Sequence, residues 1–421
     1  MKQPMFLCID LKSFYASVEC VERGLDPMTT NLVVADPDRS KNTICLAITP
    51  AMKKLGIKNR CRVNEIPRNV KYITAQPRMQ FYIDYAAEIY GIYLKYISKD
   101  DIHVYSIDEA FLDVTHYLSL YKMTAKELGR RIMQDVLSKT GIRATCGIGT
   151  NLYLAKIALD ITAKHSLDFI GYLDEKAFVE QLWEHKPLTD FWRIGAGTAA
   201  RLERFGIYTM KDIANAPEDL LYRTFGIDAE LLIDHAWGRE SCTIADIKSY
   251  RSNTKSLSSG QVLMRDYSFN EGKLILKEMV DLLSLELVSK KLVTKSVSLY
   301  IGYSKSNETS GGKGTVSLDT AVNSDKILTE ELTKLYDRIV DKRLKIRRVN
   351  ISFNNVSREE YVQYSLFDDV ASLEKERRLQ SVVVDLKKKY GKDAVLKGMN
   401  FLEGATTIER NHQIGGHKSG S

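Results

Sequence analysis

The sequence holds no apolar run approaching the roughly 20 residues that cross a bilayer. The run Met5-Phe6-Leu7-Cys8-Ile9 is followed at once by Asp10, too short and too soon acidic for a signal peptide. Six cysteines (Cys8, Cys20, Cys45, Cys61, Cys146, Cys242) are scattered without CxxC spacing or a neighbouring His pair. That pattern argues against a zinc site or a disulfide framework and for reduced thiols in a cytoplasmic protein. Neither an internal repeat nor a low-complexity block is present, so no solenoid or fibrous architecture is expected. The first 250 residues also lack net charge, with 32 Lys+Arg against 32 Asp+Glu.

The charge that exists is concentrated. Residues 251–350 carry 18 basic and 12 acidic residues, which is +6 of a total of +7, and residues 351–421 carry 11 and 10. A polyanion held by phosphate contacts would bind at that segment, with a marked salt dependence. The chain of 421 residues, 44% hydrophobic and 27% charged, has the length and balance of a soluble protein of two to four domains.

Periodicity suggests the organisation. Residues 5–11 read as a buried strand and 14–21 as a helix. A basic insertion follows, with seven basic residues and no acid from Arg39 to Arg62. Helix 82–97, a hairpin of 103–107 and 110–114, helix 125–139, strand 144–148 and helix 152–163 come next. Strand, helix, two strands, helix, strand is a split βαβ layout. Residues 175–240 read as all-helical, 248–260 as a polar linker, and 261–356 as mixed strands and helices. Beyond residue 357 the chain reads as a polar tail ending in mobile Gly and Ser.

The chemistry is carried by acids. Asp10 ends the first strand, and Asp108 and Glu109 sit at the hairpin turn. Such a layout brings the three together, and oxygen-only ligands suit hard divalent cations such as Mg²⁺. Asp10 and Asp108 would bridge two ions, Glu109 would hold one of them, and the Leu11 carbonyl would fill another position. Two such ions activate a hydroxyl and neutralise a leaving pyrophosphate, which points to templated nucleotidyl transfer. Asp113 is read as structural, either on the other side of its strand or as an edge residue.

The segments Asp10-Leu11-Lys12-Ser13-Phe14-Tyr15-Ala16-Ser17-Val18-Glu19 and Ser106-Ile107-Asp108-Glu109-Ala110 resemble the paired signature motifs of Y-family translesion DNA polymerases. The bacterial UmuC-like branch, with the catalytic subunit of DNA polymerase V and its UvrX-type relatives, is the most similar, over residues 5–356. The resemblance implies an α+β right-hand polymerase. Its ferredoxin-like palm would comprise residues 1–30 and 79–174, small fingers 31–78, and a helix-hairpin-helix thumb 175–245. A linker at 246–260, an α/β little finger at 261–356 and a C-terminal tail at 357–421 would complete it.

The resemblance also implies roles. Tyr15 matches the steric gate against a ribose 2′-OH, and the Phe14 backbone faces the triphosphate. Lys53, in Thr49-Pro50-Ala51-Met52-Lys53-Lys54, and Lys164 match triphosphate-binding lysines. Pro50 stands where other branches have a Tyr, and Lys12 where many members have Asn or Asp. Ile44 and Leu46 are candidates for the surface above the nascent base pair. Gly195 and Gly197 would form the hairpin turn whose amides hold a DNA phosphate. The run from Lys342 through Arg343 and Lys345 to Arg347 alternates at strand spacing, one face core and one face phosphate-binding. Gln363-Tyr364-Ser365-Leu366-Phe367 resembles the sliding-clamp pentapeptide, with Gln363, Ser365, Leu366 and Phe367 as contacts.

The implied enzyme is an error-prone DNA polymerase without proofreading, using two Mg²⁺ ions and acting in the SOS response to DNA damage. Primed template DNA, dNTP and the bacterial sliding clamp would be its partners, with a UmuD-like protein or a recombinase filament as further candidates. It would be a monomer at the nucleoid with no membrane association. One rival is a catalytically inactive, clamp-tethered scaffold of the same family, which the presence of all three acids disfavours. The other is a nucleotidyl cyclase, for which the basic C-terminal domain and clamp peptide have no use.

Overall fold

The first apolar run becomes β1 (Phe6–Leu11), every residue of it buried except Asp10. Buried strands with apolar residues on both faces belong at the centre of a sheet, and β1 sits there. In the computed structural model, residues 3–40, 42–252, 255–304, 311–361 and 369–420 are described. They divide into one unit of residues 1–251 with 417–421 and a second of residues 252–416.

In the first unit, α1 (Phe14–Val21) follows β1. Strands β2 (Leu32–Val34), β3 (Ala47–Ile48) and β4 (Ile73–Ala75), with the short helix α2 (Pro50–Lys54), form a separate three-stranded layer ordered β3-β2-β4. Its own core holds Val33, Cys45, Ile48, Met52, Cys61 and Ile66. Helix α3 (Met79–Tyr93) leads to β5 (Ile102–Val104) and β6 (Glu109–Asp113). After α4 (Tyr117–Tyr121) comes α5 (Ala125–Thr140), which begins in a Thr124/Glu127 capping box and stops at Gly141, where φ is 68°. A left-handed residue of that kind ends helices, and glycine adopts it without strain.

Strand β7 (Ala144–Gly149), α6 (Leu152–Ile157) and β8 (Ile170–Leu173) complete the main sheet, ordered β5-β6-β1-β7-β8. β1 runs antiparallel to both β6 and β7. The order β7-β1-β6-β5 is the ferredoxin-like split βαβ expected from the sequence. Two helices cover its faces. Gly129 of α5 faces Cys146 and Leu7, while Leu152, Ala155 and Leu159 pack with Phe6, Cys8 and Phe111 on the other face. Gly147 and Gly149 allow this second contact, because a Cβ at either would overlap the backbone of Ala155. The helix does not run on regularly to residue 163. It opens into a π-helical turn at Ala158–Thr162.

Helices α7 (Glu175–Leu182), α8 (Ala196–Glu203), α9 (Met210–Asn215), α10 (Glu218–Phe225) and α11 (Asp228–Ala236) share a core that includes Phe178, Phe191, Leu202, Met210 and Leu232, whereas α12 (Ile244–Ser249) packs Ile244 with Phe6, Cys8 and Phe111.

In the second unit, β9 (Ser256–Tyr267), α13 (Phe269–Lys290), β10 (Leu292–Tyr303), β11 (Gly312–Val322), α14 (Asp325–Ile339) and β12 (Ile346–Asn354) form an antiparallel sheet ordered β11-β10-β12-β9. The two helices pack on one face through Ile275, Met279, Leu332 and Leu335 against Val297, Leu299, Val349 and Ile351. Residues 246–260 are therefore not a plain linker. They include the end of α12 and the start of β9, whose Ser258 and Ser259 pair in register with Ser352 and Ile351. The strand lies at the edge of the sheet and is largely exposed, so its polar composition imitates a linker while one side of its backbone pairs with β12.

The expected polar tail is also structured where it is described. Helix α15 (Val370–Tyr390) buries Gln380 and Val384. Buried Glu278 accepts hydrogen bonds from Asn400 Nδ2 at 2.9 Å and from the backbone amide of Thr406 at 2.8 Å. The last residues are held in the first unit, where Lys418 pairs with Asp36 and Asp38 and the Ser419 carbonyl accepts from Gln80 N at 2.9 Å. Charge pairing supplies here what the absent apolar residues cannot. The pentapeptide Gln363–Phe367 lies outside the described residues.

Candidate active site

Strand parity builds the site. Phe6, Cys8 and Asp10 share one face of β1, and their antiparallel partners on β6 are Asp113, Phe111 and Glu109. Directly opposed residues project to the same side, so the Asp10 and Glu109 side chains leave the sheet on one face. Leu11 N donates to the Asp108 carbonyl at 2.9 Å, which ties the turn to the end of β1. Ser106 Oγ donates to Asp108 Oδ1 at 2.6 Å and holds that side chain. Asp113 shares the Glu109 face rather than the opposite one. It lies beside Phe6 at the far end and accepts from Thr115 N at 3.0 Å, a structural use.

The acids act on one another electrostatically. Burial, then the charges of Asp108 and Glu109, push the Asp10 carboxyl from its ordinary 3.8 up to about 7. Crowded carboxylates in a part-desolvated site raise one another in this way, and a cation relieves the repulsion. The donor set is all oxygen, which fits a hard divalent ion held by Asp10 and Asp108. Glu109 is engaged elsewhere. Its Oε2 accepts from Lys156 Nζ at 2.8 Å and its Oε1 from Cys8 Sγ at 3.2 Å. Among the described residues, no three His, Cys, Asp or Glu side chains form a group spaced to hold a metal ion.

Lysines surround the acids. Partial desolvation lowers the Lys53 pKa, Asp10 and Asp108 oppose that shift, and Lys164 adds to it. Lys53 of α2 and Lys164 beyond the π turn thus act on the same space. Lys164 lies 3.8 Å from Asp160 and stays mostly exposed. Lys12, one residue past β1, is also lowered by desolvation and by Lys53, and its ammonium sits 3.7 Å over the Phe169 ring. That cation–π contact accounts for a lysine being tolerated so near other cations.

Tyr15 stands on the first turn of α1, half-buried, its ring stacked on Tyr82 at 4.7 Å. Tyr82 is in turn fixed by a 2.8 Å hydrogen bond to Glu19, which buried pairing with Arg78 and Arg23 holds in place. Burial and the Asp108 charge both raise the Tyr15 pKa, while Arg60 lowers it. The ring therefore rests on an anchored platform. Phe14 is buried, as expected of a core residue. Ile44 is exposed and Leu46 half-buried beside it.

Two expectations need correction. The residue in the left-handed region near the glycine turn is Arg193 (φ 72°), while Gly195 caps α8 at φ −87°. A Cβ at Gly195 or Gly197 would meet nothing within 4 Å, so these glycines leave the helix N-terminus uncovered instead of making the bend. In the second unit, β12 starts only at Ile346; Lys342 and Arg343 occupy a turn. Arg343 pairs with Asp341 at 2.8 Å and Arg347 with Asp266 at 3.5 Å. The outward face of the sheet carries Arg348, Asn350, Tyr300 and Lys313, as their paired registers require.

Sequence reasoning missed Lys156 and Cys8. The available signal was a single lysine inside the apolar run Leu152-Tyr153-Leu154-Ala155-Lys156-Ile157-Ala158-Leu159. Buried lysines are rare unless paired. Arg60 was counted only as part of a basic run.

Residues 9–160 match the impB/mucB/samB family, and residues 254–366 match that family's C-terminal domain. The chain is similar to a Bacillus subtilis protein provisionally described as the UV-damage repair protein UvrX, with 32% identity over 98% of this chain and 97% of the other. It is 29% identical to DNA polymerase IV 2 of the same organism, over 99% of each. A solved Y-family DNA polymerase chimera, Dbh-Dpo4-Dbh, has a similar fold, with a TM-score of 0.63 at 21% identity, covering 84% of this chain and 99% of that one. Among the described residues, no helix is long and apolar enough to cross a membrane.

Proposed function

Since the chain belongs to the impB/mucB/samB family, the Y-family DNA polymerases, we propose that it carries out error-prone translesion synthesis, adding dNTPs to a primer 3′-OH with two Mg²⁺ ions and no proofreading. It is a DNA-directed DNA polymerase. The observation that carries the finer reading is the pairing of Asp10 with Glu109 beside Asp108, with Asp10 raised to about 7 by their company. Asp10, Asp108, Glu109 and the Leu11 carbonyl would hold the ions. Bound there, divalent ions would neutralise the triphosphate and favour ionisation of the attacking hydroxyl.

The chain's own residues do the rest. Lys53 and Lys164 take the triphosphate, whose charge opposes the desolvation and the Lys164 repulsion that lower Lys53. The Phe14 backbone lies at the triphosphate, and the Tyr15 ring, backed by Tyr82, lies under the sugar and clashes with a 2′-OH. Gly195 and Gly197 open the N-terminus of α8 to a DNA phosphate. In the second unit Lys342, Arg343, Lys345 and Arg347, joined by Arg348 on the outward sheet face, bind the duplex backbone without reading sequence. Residues 363–367 would tether the enzyme to the sliding clamp. Palm 1–30 and 79–174, fingers 31–78, thumb 175–245 and little finger from 256 are the domain assignments that go with this reading.

Primer extension on a template with one abasic site, with Mg²⁺ and with or without the clamp, tests it. Elongation past the site by the wild type and none by Asp108→Asn is expected. A wild type that binds primed DNA yet leaves the primer unextended on intact template would overturn the reading.

A further inference from the structure

The face of the sheet that carries the acids is roofed by α6, and that helix delivers one cation into it. Lys156 is 7% exposed. Its ammonium lies 2.8 Å from Glu109 Oε2 and 3.1 Å from Asp160 Oδ2. Two carboxylates at contact distance, one on β6 and one a helical turn away, compensate its charge. The other Glu109 oxygen accepts from Cys8 Sγ. Each Glu109 oxygen keeps a further lone pair, but the ammonium already sits against the carboxylate, so an ion entering alongside Asp10 and Asp108 must compete with it for Glu109.

We infer that Lys156 is a built-in countercation that holds Glu109 until a divalent ion enters the acidic site, so that ion binding proceeds by exchange of Glu109 from the ammonium to the metal. The inference rests on the proposed ion-dependent chemistry and adds a positioning residue to it. The helix supplies what an exchange needs. Its π-helical turn begins two residues after Lys156 and contains Asp160, whose side chain is 27% exposed and remains as a partner when Glu109 departs. A buried ammonium losing its only partner would make the exchange prohibitive; with Asp160 in place it does not lose its only one. Gly147 and Gly149 let the helix lie against β7, which brings Lys156 within reach.

The test is Mn²⁺ binding to the full chain, read as unbound Mn²⁺ by electron paramagnetic resonance, for wild type, Lys156→Met, Lys156→Arg and the double variant Asp10→Asn/Asp108→Asn. Lys156→Met is expected to bind Mn²⁺ at least roughly tenfold more tightly, a modest part of what repulsion between two cations at contact allows. Lys156→Arg, which keeps the charge, is expected to return affinity toward wild type. Equal or weaker binding by Lys156→Met, with wild-type binding abolished in the double variant, overturns the inference and leaves the functional reading standing. Wild-type binding no stronger than that of the double variant would sink both. Should Lys156→Met fail to fold, the ¹⁵N resonance of the wild-type Lys156 ammonium, assigned by its loss in Lys156→Arg, must shift on adding Mg²⁺. An unmoved resonance overturns the exchange.

Discussion

Asp10→Asn should stabilise this protein while destroying its activity, and only above a definite pH. Asp10 titrates near 3.8 in an unfolded chain and is raised to about 7 in the fold. The folded state therefore holds that proton more tightly than the unfolded state. For a carboxyl shifted upward, stability is greatest below the unfolded value, falls as pH rises through the interval, and has been lost in full above about 7. A shift of about three units corresponds to about 4 kcal/mol; water at the open side of the site relaxes part of this, leaving about 2–4 kcal/mol. Asparagine mimics the neutral acid, so the variant should match wild type at pH 4 and exceed it by that amount at pH 8 in EDTA. Trp183, Trp192 and Trp237 all lie in the first unit, so urea unfolding followed by tryptophan fluorescence reports the unit that contains Asp10. Added Mg²⁺ or Mn²⁺ should close the gap by stabilising wild type alone. A difference between the two proteins that stays constant from pH 4 to pH 8 would refute the claim that three acids share one space.

Tyr15→Ala should raise ribonucleotide incorporation on the order of a hundredfold, the scale on which a shaped pocket rejects one extra hydroxyl; unchanged sugar selectivity in single-nucleotide insertion would remove the gate assignment. Glu278→Ala orphans the buried donors of Asn400, Thr406 and Thr407. It should cost about 3 kcal/mol and expose residues 398–416 to limited proteolysis, whereas a cleavage pattern like wild type would show that carboxylate to be dispensable. Replacing both Leu366 and Phe367 by Ala should abolish stimulation by the sliding clamp and leave distributive synthesis intact. Clamp affinity retained in a pull-down would reject the pentapeptide.

Much of this was legible because the responsible signals are local. A continuous apolar run ending in an acid specified a central strand, and two acids at a turn specified where its neighbour begins. Antiparallel pairing then leaves only parity to decide which side chains meet, and Asp10 falls opposite Glu109. The failures have physical causes too. The first half of β9 reads as a linker because a largely exposed strand has little hydrophobic alternation to display; its order comes from pairing with β12 and from Leu263 and Tyr267, which join the core further along. The run from Lys342 looks like strand by composition, but the chain turns at Lys342 and Arg343, where Arg343 pairs with Asp341, and the strand begins only at Ile346. The C-terminal segment is held by Glu278 and Lys418, each a single charged residue whose partners lie over a hundred positions away. No window on the sequence contains both halves of such a contact.

Lys156 shows most sharply what spacing omits. Its neighbours in sequence are apolar, and the residues that give it meaning are on three other elements: Cys8 on β1, Glu109 on β6, and the glycines of β7 that admit the helix. Without Gly147 and Gly149 the helix would ride higher and the ammonium would fall short of Glu109. Glu109 would then have no ammonium against it on the face of the sheet that α6 covers. A site meant to receive cations must be negative, but a folded chain must tolerate that negativity before the cations arrive. A lysine placed to pair with one ligand, and given a second acid to turn to, meets both requirements with a single side chain.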